Sequence, residues 1–233
     1  MCYSEIHIWG DSIARGVMLD ATRGRYVLSA ERCSLRLKHA LTVPVVDHSV
    51  MGATVTDGFH RFTQASGAPD ALCVIEFGGN DCDLNWAHVA QNPTEPVVAK
   101  VPLNEYSATL RRFVREARLC RMEPLLVTPP PLDATRYFRW VTRGLNAQNV
   151  LSALGDVQHI YRWQERYAIA MRAVATEMDC RLLDMRDAFL AQPNEARLLS
   201  GDGIHPSDAG HRLIADTALE ALARRDVGLL VAM

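Results

Sequence analysis

The sequence predicts an α/β protein built on a five-stranded parallel sheet with helices on both faces. Short apolar segments alternate with longer stretches whose apolar residues recur at three- and four-residue intervals, the pattern of strands joined by helical crossovers. Polar turns rich in Gly, Asp and Asn follow the first three apolar segments directly, where open parallel sheets carry their ligand-binding loops.

In chain order, the first strand is Glu5–Trp9 and runs into Gly10-Asp11-Ser12. A helical stretch over Ala30–Leu41 leads to the second strand, Val43–Asp47, with Gly52 in the turn beyond it. The helix Val55–Gln64 precedes the third strand, Ala71–Phe77, which ends at Gly78-Gly79-Asn80-Asp81. Residues from Cys82 to Pro102, with Asn92-Pro93-Thr94-Glu95-Pro96, read as an irregular loop. The helix Leu103–Arg121 and the strand Leu125–Thr128 follow, and Pro129-Pro130-Pro131 opens an insertion reaching about His159. The helix Ile160–Met178, the strand Arg181–Asp184 and the helix Ser207–Arg224 complete the pattern. Both irregular segments follow strand C-termini, so both are expected to wall a site. No repeat, low-complexity tract or linker divides residues 1–233, and one domain is expected.

A chain of 233 residues with 48% hydrophobic content can bury one sizeable core. Its formal net charge of −2 gives no global attraction to nucleic acid or anionic membrane, and neither is an expected partner. The first residues enter a strand with neither a basic region nor an apolar core, and no apolar run approaches the roughly 20 residues that span a bilayer. A cytoplasmic location is the expectation. Six cysteines lie far apart with no C-x-x-C spacing and read as free thiols. Cys82 follows Asp81 and could lie near the site, although it also suits the role of a small hydrophobe. Eight histidines form no H-x-H or H-x-x-x-H pair, so no metal and no cofactor is expected.

Four motifs carry chemistry. Ser12, after a strand and before a helix, would expose its Oγ at the sheet edge, and needs a base to take its proton. Read alone, it is better taken as the N-cap of a helix from Ile13. Asp202 and His205, three residues apart around Gly203, can set a carboxylate against one imidazole nitrogen while the other faces the serine. Pro206, Ser207 and Asp208 look like the next helix start, and His211 reads as a surface residue beyond it. A tetrahedral intermediate needs fixed donors, which the Asn80 side chain, the Gly52 backbone N–H and the Ser12 backbone N–H can supply. Asp11 points away from Ser12 on an extended backbone and reads as a brace for the loop.

The order Gly-Asp-Ser, Gly, Gly-x-Asn-Asp and Asp-x-x-His resembles the SGNH hydrolase superfamily, which includes the GDSL esterases and lipases, over nearly the whole chain. The resemblance implies a flavodoxin-like three-layer α/β/α fold, nucleophile Ser12, oxyanion donors Ser12, Gly52 and Asn80, base His205 and orienting residue Asp202. Ile13 replaces the family's Leu, and Asp47 stands where many members carry Asn. The sequence has no Gly-x-Ser-x-Gly elbow of the α/β-hydrolase type. The implied activity is carboxylic-ester hydrolysis through an acyl-enzyme, with a short acyl group such as acetyl leaving a carbohydrate or similar polar small molecule. A lysophospholipase or thioesterase, or a catalytically idle carbohydrate-binding protein, are the alternatives.

Tyr137, Phe138, Trp140, Tyr161, Trp163 and Tyr167 cluster in the insertion and the helix after it, and Trp86 lies in the other walling segment. Trp86, Trp140 and Trp163 are candidate substrate-binding residues. Such rings serve a sugar platform, an acyl pocket, ordinary packing or an interface between copies of the chain, so a homo-oligomer stays open. The interleaved arginines Arg136, Arg139, Arg143, Arg162 and Arg166 are expected to pair with acids or to line a polar rim.

Overall fold

Five short strands, β1 (Ile6–Gly10), β4 (Val45–Asp47), β5 (Leu72–Glu76), β6 (Glu123–Val127) and β7 (Arg181–Leu183), pair in parallel in the order β4-β1-β5-β6-β7. Among the described residues two further strands form a separate antiparallel hairpin, β2 (Val17–Asp20) and β3 (Arg25–Leu28). The structure is a computed structural model that describes residues 3–65 and 67–224. Counted along the sheet alone, the strand order is 2-1-3-4-5, the flavodoxin-like winding, whose direction reverses between the first and third strands. The fold is therefore the α/β arrangement the alternation predicts.

Both faces of the sheet are covered. Alternate residues of β5 go to opposite sides: Cys73 and Ile75 join one buried cluster, Leu72 another, with Val74 packed against the latter. That alternation is what a strand with helices on both faces requires. One layer contains α3 (Val55–Gln64), α5 (Leu103–Leu119) and α8 (His159–Glu177). On α5 the buried residues Tyr106, Leu110, Phe113, Val114 and Ala117 fall at helical spacing and supply its sheet-facing stripe. The other layer contains α2 (Cys33–Ala40), α9 (Met185–Leu190) and α10 (Asp208–Ala223). A capping box in which Thr54 and Asp57 satisfy each other's backbone N–H starts α3 directly after the Gly52 turn.

The two walling segments are more ordered than the sequence predicts. The 82–102 segment holds α4 (Trp86–Gln91) and is closed by a bridge between Leu84 and Ala99. The insertion after β6 holds α6 (Ala134–Val141) and α7 (Ala147–Leu154). Their apolar faces meet in a third buried cluster that includes Leu84, Val89, Leu132, Val150, Leu154 and Ile160. Neither segment could bury such a face alone, so each supplies the other's core. The β2–β3 hairpin follows α1 (Ser12–Arg15), and its four-residue strands are too short to leave a clear period in the sequence. Cys33, Cys73, Cys82, Cys120 and Cys180 are free thiols, and Cys2 lies outside the described residues. Among the described residues no helix is long and apolar enough to cross a membrane.

Candidate active site

Gly10 ends β1 where backbone and side chains close in. A Cβ there would lie 2.5 Å from the Ala14 Cβ and 2.9 Å from the Glu76 carbonyl oxygen. The chain then turns into α1, and Asp11 is its N-cap: Oδ1 accepts the Ile13 N–H at 2.8 Å. Ser12 is thus the first helical residue and not the cap, which leaves its Oγ available. The second Asp11 oxygen accepts from Asn80 Nδ2 at 3.1 Å and fixes that amide beside Ser12. Asp11 braces the loop, as the sequence suggests.

His205 reaches the same edge from the other end of the chain. Its Nε2 lies 3.0 Å from Ser12 Oγ, and its Nδ1 lies 2.7 Å from Asp202 Oδ2. Asp202 Oδ1 accepts the backbone N–H groups of Ile204 and His205 at 3.2 and 3.1 Å. Gly203 makes the turn possible: its φ is +79°, and a Cβ would lie 2.8 Å from the Asp133 carbonyl oxygen. Two backbone bonds pin the turn, Asp133 N–H to Gly203 O at 2.8 Å and Ser200 N–H to His205 O at 2.7 Å. Ser207 caps α10 on the far side. Ser12, Asp202 and His205 are all buried, with exposures of 7%, 0% and 8%.

Burial alone would raise the Asp202 carboxyl, but the hydrogen bond from His205 and the two backbone N–H groups outweigh it and hold it below the ordinary carboxylate range. Glu76 and Asp11 are two further buried carboxyls near the end of β1. Burial, reinforced by the charge of Asp11, drives Glu76 well above its ordinary value and makes it the neutral partner. Burial also raises Asp11, against the pull of its Ile13 donor. Burial and the charge of Asp202 raise the Tyr26 hydroxyl, which stays a neutral phenol.

A cleft of about 160 Å³ opens over the serine. Ser12, Asn80 and His205 line it together with Tyr26, Trp86 and Trp140. The structure does not put every candidate there. Trp163 lines a separate small cavity behind the cleft and stacks on His159, with ring centroids 5.5 Å apart. Gly52, with φ +82°, sits in an exposed turn held to the end of β1 by the Val50 N–H bond to the Gly10 carbonyl at 3.1 Å, and it is not among the cleft's lining residues. Asp47 accepts from the Ser49 N–H at 2.9 Å beneath that turn.

Other expectations need correction or refinement. His211 is fully buried and not a surface residue: its Nε2 lies 3.1 Å from the Val17 carbonyl oxygen, joining α10 to the hairpin. Burial pulls its pKa down to about 4, so it is neutral. Cys82 is a buried small hydrophobe whose thiol burial raises far above its ordinary value. Among the interleaved arginines, Arg136 pairs with Asp133 at 2.7 Å and Arg162 with Asp156 at 2.6 Å, while Arg143 and Arg166 stack over Trp140 and Trp163.

The sequence reading missed two parts of the site. Tyr26, on β3, packs its ring 4.8 Å from that of His205 and 6.0 Å from that of Trp140. Asp83 accepts on one oxygen from both Trp86 Nε1 at 2.8 Å and the Tyr137 hydroxyl at 2.7 Å, and its other oxygen meets Lys100 Nζ at 2.8 Å. An Asp three places beyond Asn80, followed three residues later by Trp, was the one available hint.

The family model described as GDSL-like Lipase/Acylhydrolase matches residues 6–218. Among curated proteins the chain is similar to the isoamyl acetate-hydrolyzing esterase 1 homolog of Mus musculus, 29% identical over 144 residues, 60% of this chain and 51% of that one. It is also similar to the GDSL esterase/lipase WDL1 of Oryza sativa subsp. japonica, 24% identical over 163 residues, 69% of this chain and 56% of that one. The chain spans about half the length of the curated relatives it matches. Among solved structures, the lipase/acylhydrolase from Enterococcus faecalis superposes with a TM-score of 0.65 at 18% identity, covering 98% of both chains. Axe2, an acetylxylan esterase from Geobacillus stearothermophilus, superposes with a TM-score of 0.62 at 24% identity, covering 93% of both. These two likenesses concern the fold.

Proposed function

The chain belongs to the GDSL-like lipase/acylhydrolase family, and from that premise we propose that it is a serine carboxylic-ester hydrolase removing a short acyl group, acetyl above all, from a carbohydrate or similar polar small molecule. The observation that carries this reading is the unbroken relay from Ser12 Oγ through His205 to Asp202, at 3.0 and 2.7 Å. In the proposed mechanism His205 Nε2 takes the Ser12 proton as Oγ attacks the ester carbonyl, and the buried Asp202 carboxylate stabilises the imidazolium. The carbonyl oxygen, now an oxyanion, is met by the Asn80 amide and the Ser12 backbone N–H, which border the cleft, while Gly52 stands in the turn outside its lining. His205 then returns the proton to the leaving alcohol, and water repeats the sequence to release the acid.

A small cleft rimmed by Tyr26, Trp86 and Trp140 suits a compact acyl group on a polar alcohol. Arg143 covers a face of Trp140 with its guanidinium 3.8 Å from the ring centroid, giving that rim a cationic as well as an aromatic surface. Axe2 is a named acetylxylan esterase on the same fold and makes acetylated oligosaccharides a sensible first substrate. The test measures acetate released from an acetylated xylo-oligosaccharide beside hydrolysis of nitrophenyl acetate, a palmitoyl lysophospholipid and a palmitoyl thioester. The reading expects the two acetyl esters to be cleaved, and preference for either palmitoyl substrate would overturn it.

A further inference from the structure

Resting on the reading of Ser12 as the nucleophile, we infer that Asp83 holds Trp86 and Tyr137 as a closed gate that limits the acyl chain to a few carbons. A tetrahedral carbon on Ser12 has three arms besides Oγ. The oxyanion points to the Asn80 amide and the leaving oxygen to His205 Nε2. Tyr26 packs against the His205 ring and Trp140 against Tyr26, so these two rings flank the alcohol. The acyl arm is left with the opposite wall, formed by Gly79, Asp83, Trp86 and Tyr137.

That wall is a partition. Directly behind it lies a second cavity of about 20 Å³, and Gly79, Asp83, Trp86, Tyr137 and Ile204 line both spaces. The far side of the cavity is largely apolar, with Leu84, Leu132, Leu154 and Ile160 among its lining. The partition is held by one carboxylate oxygen that accepts from both the Trp86 indole and the Tyr137 hydroxyl. The two rings meet edge to face, with centroids 6.0 Å apart at 80°. The other oxygen of the same carboxylate is held by Lys100 Nζ at 2.8 Å, so all three partners fix its orientation. With the gate shut, an acyl chain meets the indole after its first carbons. With the indole gone, the cleft and the cavity become one apolar channel.

The test compares kcat/KM for nitrophenyl acetate and nitrophenyl hexanoate in the parent, Trp86→Ala and Tyr137→Phe, with thermal unfolding of each and covalent labelling by methyl- and hexylphosphonate esters. The parent should strongly favour acetate. Trp86→Ala should raise the hexanoate-to-acetate ratio at least tenfold, since each methylene newly buried is worth up to about fourfold. Tyr137→Phe removes one hydroxyl with little risk to folding and should raise the ratio roughly two- to fivefold. Hexylphosphonate labelling should rise in the same order. A parent that accepts hexanoate as readily as acetate, or a ratio unchanged in Tyr137→Phe and in folded Trp86→Ala, overturns the gate. A parent labelled by neither phosphonate overturns the serine reading itself, and the gate with it.

Discussion

At the level of single residues, the proposed mechanism separates groups that move a proton from groups that wait for charge. Asp202 is buried, accepts three N–H bonds and keeps its charge against desolvation. Asp202→Asn should therefore lower kcat on the order of 10⁴-fold, because the amide cannot stabilise the imidazolium or fix its tautomer; steady-state kinetics checks this, and a loss below tenfold contradicts it. Asn80 does different work. Its amide is tethered by Asp11 and has a second N–H to offer. Asn80→Ala should cut kcat by roughly 10²- to 10³-fold with little change in KM, whereas an effect confined to KM would place Asn80 in ground-state binding. That these residues come together was legible in the sequence, because Gly-Asp-Ser, Gly-Gly-Asn-Asp and Asp-Gly-Ile-His are contiguous and set by backbone turns. Tyr26 and Asp83 were not, since each gains its meaning from partners far away in the chain.

At the level of elements, legibility followed length. The helix Leu103–Leu119 carries a stripe several turns long and was read almost to its ends, whereas the hairpin of β2 and β3 offers four residues a strand and was invisible. The 82–102 segment looked irregular because its prolines mask α4, whose stability comes from packing against α7 and not from its own sequence. His211 was misplaced for a related reason: α10 packs under a hairpin that the sequence did not predict. Packing between elements also yields a prediction. In α3, Gly58 faces the ring of fully buried Phe77, and a Cβ would lie 2.1 Å from its Cζ. Gly58→Ala gains up to about 1 kcal/mol of helix propensity but overpacks a site that cannot yield, at a cost of about 1–3 kcal/mol. A melting midpoint lowered by a few degrees is expected, and an unchanged or higher one would show that α3 can shift.

At the scale of the whole molecule, buried titratable groups shape stability against pH. Burial pushes Asp81 up to about 7, although one of its oxygens accepts the Val55 N–H at 2.8 Å. A folded pKa above the unfolded value of roughly 4 means that the folded state binds more protons between those values, so stability from this group is full below about pH 4 and is lost as pH rises to about 7. His211 acts in the opposite sense: held at about 4 when folded, it loses stability as pH falls from the ordinary histidine value of 6.5 toward 4. Asp81→Asn should leave the melting midpoint nearly unchanged at pH 4 and raise it at pH 8; equal midpoints at pH 8 would contradict the assignment. The same global view returns to the proposed chemistry, in which residues 193 positions apart meet at 3.0 Å across the sheet edge. Intact-mass measurement after exposure to an organophosphonate ester tests that meeting most directly. The parent should gain one phosphonyl group, located by peptide mapping on Ser12, and Ser12→Ala should gain none while unfolding at the parent's temperature. Labelling elsewhere, or equal labelling of both proteins, would contradict a Ser12 nucleophile.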